Sequence, residues 1–397
     1  MTMTAVIESP TAMTHARSGE RRIAHVDILH DLRAAEPVWR SLETSQFSTP
    51  YQRFDFLSAW QQHVGTKGDL QPCIIIACDV ERRPLLLLPL VSGTENGVRV
   101  ARFMGGKHTT FNMALWQRDF AASATPADLE ALIQGIREHP ARIDVLAFTR
   151  QPQRWCDLQN PMALLPGQTS TNDCPLMTIV PGAPPSERIS NSFRRRLKGK
   201  ERKLQALPGY RYCVATTDAE IKRMLDAFFT IKPLRMAEQK LPNVFADAGV
   251  EDFLRTACLT PLQDGGHAIE IHALECDAEV IAIFAGVADG HRFSMMFNTY
   301  TMSESSRYSP GLILMRDIVD HYAERGYTSL DLGIGSDDYK RLFCKDDEPI
   351  FDSYLPLTTL GRLAAITMSS LTRAKRLVKQ TPALKQMAQV LRGALHR

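Results

Sequence analysis

The chain has 397 residues, 44% apolar and 23% charged, with 23 glycines and 23 prolines. That is ordinary globular composition, which excludes a collagenous, coiled-coil or wholly disordered chain. At about 150 residues per domain the length suggests two domains. The net charge of +3 is unevenly placed: residues 361–397 carry eight Lys/Arg and no acid, leaving 39 Lys/Arg against 44 Asp/Glu in the first 360. A mildly acidic body is unlike that of a general nucleic-acid binder.

The first 22 residues hold no apolar run of signal-peptide length and read as a disordered leader. A strand is expected near 23–29, helices at 32–42 and 54–63, and strands at 73–79, 85–91 and 98–103. After a glycine-containing loop come a helix at 126–138, a strand at 143–148, a short helix around 152–158 and a strand at 175–180. Residues 189–207 place Phe193, Leu197 and Leu204 on one stripe among Arg194, Arg195, Arg196, Lys198, Lys200, Arg202 and Lys203. This predicts a basic amphipathic helix, either a solvated face or a grip on phosphates.

The second half repeats the order of the first. A strand at 210–216 leads to helices at 218–236 and 250–259, with Ile221, Leu225, Phe228 and Phe229 on one face of the first. Strands follow at 267–274, 280–287 and 293–300, divided by turn residues. Pro310 opens a helix to about 323, Pro being favoured in a first helical turn. A strand at 329–332, a short helix at 337–343 and a strand at 350–357 complete the copy.

An antiparallel meander feeding a strand–helix–strand unit is the element order of the GNAT acyltransferase fold. The expectation is therefore an α/β (α+β) protein of two tandem GNAT-like domains with mixed central sheets. Residues 23–183 form the first, 184–209 a basic linker helix, 210–360 the second and 361–397 a basic helical tail. The eight cysteines are scattered, with no C-x-x-C pair or His cluster, so the expectation is reduced thiols, no metal and a cytoplasmic setting. The richest apolar run, 85–91, is too short to cross a bilayer.

At Arg307-Tyr308-Ser309-Pro310-Gly311-Leu312 and Asp331-Leu332-Gly333 with Tyr339-Lys340, the sequence resembles the bacterial acetyltransferases labelled CelD/BcsL, a cellulose-associated GNAT branch related to the FemAB aminoacyltransferases. Phe54 with Trp60-Gln61, Leu87-Leu88-Pro89-Leu90, Gly105-Gly106-Lys107-His108 with Phe111-Asn112, and Pro242-Asn243 with Phe245-Ala246-Asp247 extend the resemblance along the chain. It implies acyl transfer from acetyl-CoA or another acyl-CoA to an amine or hydroxyl, with a saccharide or envelope precursor as acceptor. Two alternatives stand beside it: a FemAB-like aminoacyltransferase using charged tRNA, and a non-catalytic module of a polysaccharide-synthesis complex.

Thioester acyl transfer needs a diphosphate site, a donor for the carbonyl oxygen, a base for the nucleophile and an acid for the thiolate. A helix start suits an anion, which makes Arg307, Tyr308, Ser309, Pro310, Gly311 and Leu312 the cofactor candidates. The family pattern Gln/Arg-x-x-Gly-x-Gly/Ala is altered here, with Pro310 at its first glycine and Leu312 at its last small position. The resemblance places the carbonyl-binding amide within Phe297-Asn298-Thr299-Tyr300 and a charge-neutralising lysine at Lys340, beside Tyr339. Tyr300 or Tyr308 is a candidate acid, and Asp331, at the carboxyl end of a strand, the candidate base. Gly105, Gly106, Lys107, His108 and Asn112 form a candidate acceptor loop. Each also has a plainer reading, as a rim tyrosine, a loop-capping carboxylate, a solvated lysine or a glycine turn. The basic tail 361–397 suggests two helices broken at Thr381-Pro382, resting either on an anionic inner membrane face or on the acidic body.

Overall fold

The computed structural model describes residues 21–44, 47–263, 265–335 and 337–381. Almost all of the expected leader, and the tail beyond Thr381, lie outside these residues.

The first half runs β1 (His25–Leu29), α1 (Leu32–Glu43), α2 (Phe54–Trp60), β2 (Gln71–Cys78), β3 (Pro84–Glu95), β4 (Val98–Phe103), α3 (Pro126–Glu138), β5 (Val145–Pro152) and β6 (Cys174–Thr178). The basic helix α4 (Asn191–Leu204) links it to β7 (Arg211–Val214), α5 (Asp218–Glu238), α6 (Val250–Leu259), β8 (Glu270–Glu275), β9 (Val280–Ala288) and β10 (Arg292–Tyr300). Then come α7 (Pro310–Glu324), β11 (Ser329–Asp331), β12 (Asp346–Glu348), β13 (Ile350–Pro356) and α8 (Thr359–Gln380). Capping boxes start the helices where expected: Thr125 with Asp128 at α3, and Thr217 with Glu220 at α5.

Each half builds a mixed sheet whose first four strands form an antiparallel meander and whose fourth pairs in parallel with the strand after the crossover helix. The final strands are exchanged. The first sheet has the order β1-β2-β3-β4-β5-β13, and the second β7-β8-β9-β10-β11-β6-β12. Thus β13 joins the first sheet against β5, with the two-residue strand Gln168–Thr169 on its far side, and β6 joins the second between β11 and β12. The expected boundaries at 23–183 and 210–360 therefore do not divide the chain into two self-contained sheets. Strand alternation marks an inner and an outer face but leaves open which distant edge a strand joins. The expected short helix at 152–158 is also absent. Its residues end β5 and form a small hairpin, Arg154–Trp155 with Leu158–Gln159.

Both faces of the second sheet are covered, which is why all nine residues of β9 are buried. One face, with Ile271, Ile283 and Phe297, joins Phe228 of α5 and Phe253 of α6 in a core continuous with the first half. The other face, with Ile281, Phe284 and Phe293, packs against Ile313, Leu314 and Ile318 of α7 and Phe193 and Leu197 of α4. Helix α4 is held further by Arg194 to Asp320 at 2.6 Å and Glu201 to Arg316 at 2.9 Å. Helix α8 covers the first sheet through Ala365, while Leu360, Leu363, Ile366, Leu371 and Leu377 are exposed. No helix among the described residues is long and apolar enough to cross a membrane.

Candidate active site at the strand wedge

The parallel pair β10–β11 holds only over Arg292–Ser329, Phe293–Leu330 and Ser294–Asp331. Beyond Ser294 the two strands part, and Met295–Tyr300 and Leu332–Ile334 become walls of a cleft of about 780 Å³. Lys107, His108 and Arg150 of the first half, and Lys232 and Arg235 of α5, line the same cleft.

Register decides what β10 offers to this opening. The Thr301 amide donates to the Ile281 carbonyl, so Thr299 and Phe297 are the residues hydrogen-bonded to β9, and Asn298 and Tyr300 direct their backbone groups to the other edge. The Asn298 carbonyl indeed accepts from Lys232 Nζ at 2.9 Å. Its amide faces the same edge, where β11 no longer pairs. A bulge precedes it: Gly286 pairs with Met295 and Ala285 with Phe297, leaving Met296 unpaired. Gly286 is required there, because a Cβ would lie 2.3 Å from the Ser294 carbonyl oxygen.

Asn298 Nδ2 donates to the Tyr339 hydroxyl at 3.4 Å, and burial pushes that phenol up to about 12. Tyr339 is thus protonated at neutral pH, with its own O–H free of that bond. Lys340 is buried and gives its Nζ protons to the carbonyls of Gly333 and Ile334, both at 3.1 Å, with Asp337 at 3.6 Å. It pins the loop forming one wall.

Asp331 lies behind that wall. It is fully buried, accepts from Ser294 Oγ and from the Gly333 amide at 3.1 Å, and does not line the cleft. Burial raises its carboxyl to about 6, against the opposing pull of Arg292 and the Ser294 hydrogen bond. Its place is that of a brace under Gly333.

His108 presents a fixed donor. Trp60 Nε1–H donates to its Nδ1 at 3.0 Å, so in the neutral ring the proton is on Nε2, which is buried without a hydrogen-bond partner among the described residues. Burial, with Lys107 adding, lowers the ring to about 4, so it is neutral at physiological pH and its basic nitrogen is engaged. The neighbouring glycines serve the loop itself. Gly105 has φ +88°, and a Cβ there would meet Thr109 at 2.3 Å. Neither Gly105 nor Gly106 lines the cleft, and Asn112 is buried between Thr109 and the Thr149 carbonyl.

The expected diphosphate stretch stands just outside the cleft, past Tyr300. The Leu312 and Ile313 amides are both taken by the Ser309 carbonyl, and Pro310 has no N–H, so the cradle is smaller than the sequence suggested. A Cβ on Gly311 would make only ordinary contact, 3.6 Å from Tyr300. Arg307 is exposed and reaches the Tyr308 hydroxyl at 2.8 Å. Of the basic helix read as a possible grip on phosphates, it is Lys200 that reaches this stretch: its Nζ donates to Ser309 Oγ at 2.7 Å and puts a cation at the start of α7.

Lys232, Arg235, Arg150 and Trp60 were not assigned to a site.

Residues 191–341 match the family described as an acetyltransferase (GNAT) domain, which spans the second half only. No curated protein matches the sequence. Among solved structures, the chain is similar to the C-terminal domain of a putative lysylphosphatidylglycerol synthetase from Agrobacterium fabrum, with 11% identity, 86% of this chain and 98% of that one covered, and a TM-score of 0.51. A conserved protein of unknown function from Bacteroides thetaiotaomicron aligns with 12% identity over 84% of this chain and 100% of that one, at a TM-score of 0.50. FemX aligns with 8% identity over 77% and 96%, at 0.49. The fold is a tandem GNAT-like one. At such low identity the likeness speaks for architecture alone.

Proposed function

We propose that the protein is an acyltransferase that moves an acyl group from acyl-CoA to an amine or hydroxyl in the cleft. The observation that carries this reading is the unpaired edge of β10, where the Asn298 amide faces an opening made by the parting of two parallel strands. An amide fixed there can donate a hydrogen bond to the thioester carbonyl oxygen without reorganising, and one such donor is worth about 3–4 kcal/mol at a transition state. The nucleophile's electron pair forms a bond to the carbonyl carbon and its proton passes to Asp337, the carboxylate on the cleft wall. The C–S bond then breaks, the thiolate takes the Tyr339 proton, and the tyrosinate regains one from the protonated Asp337 through solvent, which restores both groups. The start of α7, with Lys200, suits the donor's diphosphate. Acetyl as the acyl group and a saccharide or envelope precursor as acceptor are the finer parts of the proposal, drawn from the CelD/BcsL resemblance.

The test is thiol release from acetyl-CoA and longer acyl-CoAs over a panel of amino sugars, polyols and lipid headgroups, with thermal shifts alongside. Acceptor-dependent release supports the reading, and neither shift nor release with any acyl-CoA removes it. One observation favours a tRNA-linked donor instead: α4 exposes Arg195, Arg196, Lys198, Arg202 and Lys203. Salt-sensitive binding of charged tRNA would favour that second reading.

We also propose that α8 rests on an anionic lipid surface. Its five exposed aliphatic residues are flanked by Arg362, Arg373 and Lys375, and the helix contains no acid.

A further inference from the structure

The cleft is strongly one-signed. Lys107, Arg150, Lys232, Arg235 and Lys340 line it, and Asp337 is the one acid among the described residues that line it. Three of the cations are already engaged: Lys107 pairs with Asp247, Arg150 braces the carbonyls of Gly106 and Thr109, and Lys340 pins its loop. Lys232 and Arg235 differ. Among the described residues, neither has a carboxylate within salt-bridge distance. Their partners are all neutral: Lys232 Nζ donates to the Asn298 carbonyl and lies 5.7 Å over the Phe245 ring, and Arg235 lies 3.4 Å over the Tyr300 ring and donates to Met302 Sδ at 3.6 Å. Burial, and after it Arg235, lower the Lys232 ammonium, with Asp337 across the cleft opposing them.

Their position tells which substrate they serve. Helix α5 packs on the face of the second sheet shared with the first half, and α7 on the opposite face. The Lys232/Arg235 pair and the Lys200–Ser309 site thus stand on helices that cover different faces, with Tyr300 between them: Arg235 stacks on its ring and Gly311 borders the same ring. A group transferred directly between two substrates calls for that arrangement, one entering from each face.

We infer that the acceptor carries an oxyanion, a phosphate or a carboxylate, and that Lys232 and Arg235 bind it on the α5 side of the wedge. Arg supplies a fork matched to either oxyanion, and Lys a point charge beside it. The chemical class is an anionic amine or hydroxyl compound, such as a sugar phosphate or a sugar acid. Neutral polyols lack the group that the two cations lack a partner for. This inference rests on the acyl-transfer reading for the word acceptor, but the anion site stands without it.

The full chain is titrated with glucose, glucose 1-phosphate and glucuronate by calorimetry, and separately with acetyl-CoA. Arg235→Gln leaves the Lys232–Asn298 hydrogen bond in place and is compared with Lys232→Met/Arg235→Gln. The expected result is binding of one or both charged sugars, at least tenfold tighter than glucose, weakened at least tenfold by Arg235→Gln. Acetyl-CoA affinity then changes less than twofold. Charged-sugar binding that Arg235→Gln leaves intact, or no preference over glucose, overturns the inference. A parallel loss of acetyl-CoA affinity also overturns it, by assigning the cations to the donor. Wild-type binding of charged sugars without any acetyl-CoA binding supports the anion site and removes the acyl-CoA reading instead.

Discussion

His108 allows a quantitative test of the cleft's electrostatics. The ring moves from an ordinary 6.5 to about 4 on folding, because it is buried and faces Lys107. Above pH 6.5 it is neutral in both folded and unfolded chains. As pH falls, the unfolded ring takes its proton first, so the ring's contribution to stability is lost between 6.5 and 4. At about 1.4 kcal/mol per pH unit, the loss between pH 7.5 and pH 4.5 is about 2.5 kcal/mol. His108→Gln removes this titration. Urea unfolding of wild type and variant at both pH values isolates the ring from every other group, since only their difference is read. The wild type's advantage should shrink by about 2.5 kcal/mol at pH 4.5. An unchanged difference would refute the burial argument. Nitrogen NMR of the ring should report the Nε2–H tautomer at neutral pH, and Trp60→Phe should release it into a mixture.

Exchange of β6 and β13 predicts that neither half folds alone. A fragment ending at residue 183 lacks β13, and its sheet loses the buried Ile350, Phe351 and Leu355. Circular dichroism and proteolysis should find it unfolded, while co-expression with the second half restores a complex. For Asp331, raised to about 6 from 3.8, the stabilising contribution is present below pH 3.8 and lost as pH rises through 6. Asp331→Asn should therefore flatten the stability profile between pH 4 and 6 by up to about 3 kcal/mol. The same variant should leave the pH optimum of turnover in place, whereas a shifted optimum would make Asp331 the base after all. Leu363→Glu/Ile366→Glu on α8 should abolish binding to phosphatidylglycerol vesicles with no loss of thermal stability. Equal binding of both proteins would remove the lipid proposal.

Much of the architecture was legible because local chemistry marks it. Capping boxes at Thr125 and Thr217, Pro310 at the start of α7, and the apolar runs of β2, β3 and β9 each fix an element within a few residues. The strand exchange was not legible, because alternation does not say which sheet a strand enters and the choice rests on contacts more than 150 residues apart for β6–β11. The cleft was half legible. Lys107, His108, Asn298, Tyr300, Tyr339 and Lys340 converge on it. Asp331 does not, since alternation along a strand names its two faces without saying which one meets a cavity. Lys232 and Arg235 belong to a helix whose apolar stripe explained it fully, and their lack of counter-ions appears only once the neighbouring chain is in place.

The most direct measurement is a crystal structure of the full chain with acetyl-CoA. The account predicts the diphosphate at Lys200 and the start of α7, with the thioester carbonyl oxygen within hydrogen-bond distance of the Asn298 amide. Acetyl-CoA bound elsewhere, or a β10 edge filled by the protein's own groups in the complex, would contradict it.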